Sequence, residues 1–230
     1  MRAAWLWPLA LLLGCAQLPS TVEELARPEE RRVLHGELVH DMLAQGRAHA
    51  ALAHLEELER QQGELDADQR LLRAEAYYRI GETAAAAADY RSLTDGPKAG
   101  QAWHGLGRIA TPTDLRAALQ AFNQAVAARP TDAAVRNDLG YALLLAGRAA
   151  DGCRHLYTAH ELAPNQARVV ANLLLCEGLR GRLQARERLL QVHGFSASER
   201  EQHAQQLVEM IATIQARRAE VATPPPEAEG

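Results

Sequence analysis

Three cysteines and nine histidines are the residues of this 230-residue chain best suited to chemistry. Six of the histidines fall in pairs five residues apart: His35 and His40, His49 and His54, His155 and His160. On a helix, five residues turn the second ring about 140° from the first, whereas two helical metal ligands share a face at i, i+3 or i+4. The pairs are therefore read as surface or interhelical histidines, and no metal ligand is assigned. Cys153 with His155 makes no nucleophile–base pair, because helical residues two apart point to different faces. No glycine-rich phosphate loop follows a strand, no serine elbow occurs, and no carboxylates gather on one pocket. The chain is expected to carry no catalytic residue, no cofactor and no enzyme activity.

Two thiols, Cys153 and Cys176, fall on neighbouring helices in the repeat described below. A disulfide between them fits an oxidising compartment; two free thiols buried among small core residues are the alternative.

The third, Cys15, ends the run Leu12-Leu13-Gly14-Cys15. The apolar stretch from Ala3 to Gly14 contains Pro8 and falls short of the roughly 20 residues that a membrane-crossing helix needs. One Arg, an apolar segment and then small residues make a secretory signal. Its end resembles the bacterial lipobox, an aliphatic residue two or three positions before a small residue and a Cys. The resemblance implies a diacylglycerol thioether on Cys15, cleavage after Gly14 and acylation of the new amino terminus. Each buried methylene adds about 0.8 kcal/mol, and more than one acyl chain makes the anchor stable. Ala16, rather than Asp, follows the cysteine, which implies the outer membrane and its periplasmic face.

The elements that must carry these residues are helices. Hydrophobic residues make up 47% of the chain but aromatics only 4%, and no alternating Val/Ile/Thr runs are bounded by turns. The formal net charge is −4, with Lys98 the single lysine, so no basic patch of the kind that nucleic acid requires is present. A repeat is visible instead. Pro130 and Pro164 stand 34 residues apart, as do Gly147 and Gly181. Leu139, Gly140, Gly152, Leu156 and Ala159 take the large and small positions of one unit, and Leu173 begins the next. Earlier units supply Ala74, Tyr77, Gly81, Ala86 and Tyr90, and before them Leu38, Met42, Gly46, Ala51, Leu55 and Leu58. The third unit is expected to be about one residue short of the 34-residue period around "RIATPTD", where Thr113 or Asp114 caps its second helix. Arg186 sits where a small residue is usual.

This pattern resembles the tetratricopeptide-repeat family. The implied fold is all-α, a solenoid of about five helix-turn-helix units with a C-terminal capping helix. The domain reading is residues 1–14 as lipoprotein signal peptide, 15–28 as lipidated tether, 29–198 as solenoid, 199–219 as capping helix and 220–230 as disordered tail. Ser196 or Ser198 is the candidate N-cap of the last helix. In such solenoids the first helices of successive pairs line a concave groove that binds peptide segments. Carried onto this chain, the groove positions are Leu71, Glu75 and Tyr78, then His104 and Arg108. They continue with Asn137, Tyr141 and Leu144, and end with Arg168, Asn172 and Leu175.

The segments "VRNDLGYALLLAGRAADG" and "RVVANLLLCEGLRGRLQARERLL" are similar to paired segments of TadD-type lipoproteins of tight-adherence (Flp) pilus systems. The shared marks are Asn137, Asp138, Leu139 and Gly140, then Arg168, Val169, Asn172 and Leu173. The resemblance implies a pilotin-like scaffold that assists the secretin ring of the pilus by protein–protein binding. It also implies contact with the membrane through the lipid alone and no nucleic-acid or small-molecule partner. A pilotin of a type IVa pilus, a murein-enzyme adaptor and an outer-membrane biogenesis adaptor share the architecture; a periplasmic enzyme is the reading from another class.

Overall fold

The computed structural model describes residues 28–222. The expectations for the signal peptide, for Cys15 and for residues 223–230 lie outside the described residues. Eleven helices and no strand occur among the described residues. They form hairpins: α1 (Pro28–Ala44) with α2 (Ala48–Gln62), α3 (Ala67–Arg79) with α4 (Thr83–Arg91), and α5 (Ala99–Ala110) with α6 (Leu115–Ala128). α7 (Ala133–Leu145) then pairs with α8 (Ala149–Leu162), and α9 (Ala167–Leu179) with α10 (Leu183–Val192), before the long α11 (Ala197–Ala222). Each first helix from α3 onward packs on the second helix of the preceding hairpin as well as on its own partner. The result is a helix-turn-helix solenoid.

Local chemistry sets the boundaries. Four hairpin turns contain a glycine with positive φ: Gly46, Gly81, Gly147 and Gly181. The turn of the third hairpin lacks one. There Asp114, rather than Thr113, caps α6, its carboxylate accepting from the Ala117 amide at 3.0 Å. Asp66 and Gln69 satisfy each other's backbone amides at the start of α3. Ser196, rather than Ser198, starts α11: its hydroxyl accepts from the Glu199 amide, while Glu199 accepts from the Ser196 amide at 2.8 Å. α11 runs to Ala222, so residues 220–222 continue the helix instead of opening the expected tail.

Two expectations of register are corrected. The first helices begin at 67, 99, 133 and 167, so the second unit spans 32 residues and the third 34. The short unit is the second, because α4 is wound off after nine residues. Ser92 donates to the Asp89 carbonyl at 2.7 Å, Leu93 turns into the core, and Pro97 lacks the amide needed to resume a helix. In the first unit Val39 and Leu43 are buried, whereas Leu38 is 45% exposed. Among the described residues no helix precedes α1, so the flank that carries Leu38 is uncovered.

The core is a chain of small clusters rather than one nucleus. Close approach within the fourth hairpin depends on the Gly140–Gly152 contact, where a Cβ on Gly152 would lie 2.6 Å from the Gly140 carbonyl oxygen. Between hairpins, Cys153 on α8 and Cys176 on α9 are joined by a disulfide, their Cα atoms 5.5 Å apart.

Candidate functional site

Successive first helices are tied to one another by polar contacts that recur with the repeat. From α3, Glu75 accepts from Arg79 of its own helix at 2.8 Å and from Arg108 of α5 at 2.9 Å. The Arg108 guanidinium lies over the Tyr78 ring, 4.1 Å from its centroid, a stacked cation–π arrangement. Burial pushes the Glu75 carboxyl up, but Arg79 and Arg108 outweigh it and hold the group below its ordinary value.

One repeat on, His104 of α5 meets Asp138 of α7, Nε2 to Oδ2, at 2.8 Å. Asp138 also accepts from Asn137 at 3.0 Å and pairs with Arg168 of α9 at 2.9 Å. Asn137 in turn accepts from the Asn172 amide at 2.9 Å. The rungs Glu75–Arg108, His104–Asp138 and Asn137–Asn172 join residues 33, 34 and 35 apart. This ladder fixes the spacing of the first helices and therefore the curvature of the face they share. Asp138, the hub, was absent from the expected groove residues. Its signal in the sequence was its place beside Asn137 among the shared marks.

The ends of that face differ. At the C-terminal end α11 does not stack on α10 as another first helix would; it lies along α9 and α7. Met210 and Ile214 join the cluster of Leu145, Leu175 and Tyr141, and Leu207 fills the space beside Gly178. A cleft of about 480 Å³ remains under α11, lined by Tyr141, Arg168, Asn172 and Leu175 among others. At the N-terminal end an open groove of about 800 Å³ runs between α1 and α3, with Leu71 on its wall.

The expected groove residues therefore divide. Leu71 lies at the open end. Glu75, Tyr78, His104 and Arg108 form the paired middle. Tyr141, Arg168, Asn172 and Leu175 meet α11, but only Arg168 is well exposed. Leu144 is a correction: it is fully buried against Cys153 and Leu156, because its side of α7 faces α8 rather than the groove. Asn137 is buried as well and works within the ladder.

Histidines meet between helices, not at their five-residue spacing. His35 and His54 approach to 3.0 Å across α1 and α2. His160 stacks edge-on with His193, and Phe195 with His203, near the α10–α11 junction. Among the described residues no group of three or more potential metal ligands converges. No described helix is long and apolar enough to cross a membrane.

No family model matches the chain. It is, however, 36% identical over 189 residues to the TPR repeat-containing protein PA4299 of Pseudomonas aeruginosa, across 79% of this chain and 74% of that protein. The chain belongs to the tetratricopeptide-repeat proteins. Solved structures share the fold of this tetratricopeptide-repeat protein at low identity. TTC0263, a thermophilic TPR protein of Thermus thermophilus, is 18% identical with a TM-score of 0.57, over 78% of this chain and 98% of that one. MamA of Desulfovibrio magneticus RS-1 is 18% identical with a TM-score of 0.53, over 79% of this chain and 95% of that one. Membership makes the coarse function plain: a tetratricopeptide-repeat protein is a scaffold for protein–protein interaction.

Proposed function

We propose that this tetratricopeptide-repeat protein is a lipid-anchored scaffold on the periplasmic face of the outer membrane, where it assists the secretin of a tight-adherence (Flp) pilus. The observation that carries the reading is the ladder through Asn137, Asp138, Arg168 and Asn172. These are marks shared with the TadD-type segments, and they give the first helices a fixed, partner-ready face. The Leu12-Leu13-Gly14-Cys15 run supports anchoring, and the paired thiols at Cys153 and Cys176 suit the oxidising periplasm.

Cys15→Ala is expected to leave the domain folded and release it from the membrane; unchanged fractionation into outer membrane would sink the anchor. The unsubstituted chain is expected to co-purify with secretin. Tyr141→Ala combined with Arg168→Glu weakens that association if the docking surface is the concave face. Circular dichroism confirms that the double variant is folded. Normal secretin binding by the folded double variant refutes concave docking.

A further inference from the structure

The open groove between α1 and α3 has three properties that together describe an occupant. Its walls are apolar: Val33 is 59% exposed, and Leu71 and Leu72 are half-buried. Its rim is acidic. Glu37 and Asp41 stand one turn apart on α1 and make no ion pair among the described residues, although like charges at i, i+4 disfavour a helix. Across from them, Asp66 and Asp68 open α3, where Asp68 is paired with Lys98. Arg32 is the one permanent cation among the described lining residues, and it is turned onto Asp66 at 3.7 Å.

The third property is an unpartnered donor. Gln69 is 2% exposed and lines the groove. Its Oε1 accepts from the Asp66 amide at 3.1 Å, which fixes the orientation of the side-chain amide. Its Nε2 is buried with no hydrogen-bond partner among the described residues. An unsatisfied buried donor costs about 1–3 kcal/mol, so a carbonyl oxygen brought to it is favoured. A solvated groove would gain little from any one of these features; a peptide segment satisfies all three.

We propose that this α1–α3 groove docks a cationic amphipathic segment of a partner protein. Its apolar side chains lie on Val33, Leu71 and Leu72, its Arg or Lys side chains face Glu37 and Asp41, and a backbone carbonyl accepts from Gln69. The proposal rests on the reading that the concave face holds the partner, and it extends that docking from Tyr141 and Arg168 to the end which α11 leaves open.

The test uses the full chain in non-ionic detergent. A dye-labelled amphipathic peptide of leucine and arginine is titrated by fluorescence anisotropy, with glutamate replacing arginine in the control peptide. The arginine peptide is expected to bind and the glutamate peptide not. Glu37→Gln with Asp41→Asn weakens binding about tenfold, the sum of two exposed ion pairs, while Glu161→Gln with Glu201→Gln, equal in charge and remote, stays within about twofold. Equal loss in both double variants, or preference for the glutamate peptide, overturns the proposal. So does a photocrosslinker at Leu72 that yields a dimer of this chain. Peptide binding without secretin co-purification would leave the groove standing and remove the pilus reading. Secretin co-purification without peptide binding would do the reverse.

Discussion

Asp138 accepts from His104 and Asn137 and is ion-paired with Arg168, so it joins three helices while only 5% of its own side chain is exposed. Burial raises its carboxyl pKa, but the His104 hydrogen bond and the Arg168 charge outweigh burial and leave it below the ordinary value. A depressed folded-state pKa stabilises the fold above the unfolded value of about 3.9, and the contribution is lost as pH falls through the lower folded value. Asp138→Asn is therefore expected to cost about 1–3 kcal/mol at neutral pH, since it removes charge-assisted hydrogen bonds and Arg168 remains solvated. Urea titrations at neutral pH and at a pH below about 4 should show the two proteins closer at the lower value, because the wild type progressively loses the carboxylate's contribution as Asp138 protonates. Equal separation at both pH values would contradict the assignment. Glycines give a second contrast. Gly152→Ala drives a Cβ to 2.6 Å from the Gly140 carbonyl oxygen and is expected to cost about 1–3 kcal/mol. Gly36→Ala meets nothing within 4 Å on α1 and is expected to gain about 0.5–1 kcal/mol of helix stability. Thermal melts of the two variants should move in opposite directions.

Between elements, the Cys153–Cys176 bond joins the second helix of one hairpin to the first helix of the next across 23 residues of sequence. In the chain-entropy account a loop of this size contributes about 2–4 kcal/mol by constraining the unfolded chain. Cys153→Ala is expected to lower stability by that amount, with intact mass rising by two hydrogens only when the wild type is reduced. Two alkylatable thiols in protein purified without reductant would remove the bridge. The fifth hairpin departs from its neighbour at the same junction. Thirty-four residues after Leu143 and Gly152 stand Glu177 and Arg186. Glu177 is fully buried and accepts from the Tyr157 hydroxyl at 2.6 Å. α11 then closes the array with Met210 and Ile214 rather than with a repeat-like helix, so its polar outer face meets solvent in place of a further hairpin.

Over the whole molecule, stability in a solenoid is close to a sum of hairpins and nearest-neighbour interfaces. α7 and α9 have the most continuous burial, being covered by α8, α10 and α11. α1 leaves Val33, Leu34 and Leu38 exposed. Amide hydrogen exchange is accordingly expected to be slowest in α7–α9 and fastest in α1, graded along the chain. Uniform protection across the five hairpins would mean a single cooperative unit instead.

The sequence by itself determined the repeat. A 34-residue spacing of glycines and prolines, small residues at helix contacts and Asp or Ser at helix starts are local or nearest-neighbour constraints, and they wrote the hairpins into the chain. It also held most of the ladder, in the Asn137–Asp138 and Arg168–Asn172 marks. Which of those residues would face a groove was not legible, because a helical position is defined only by what packs on each flank. Val39 is buried where Leu38 was expected, because among the described residues no helix covers the other flank of α1, and Leu144 proved to face α8. The path of α11 along α9 and α7, the meeting of His35 with His54, and the convergence of Val33, Glu37 and Gln69 at one open end join residues far apart in the repeat. Only the tertiary structure decided them, since no local propensity or period specifies where a helix outside the repeat will lie.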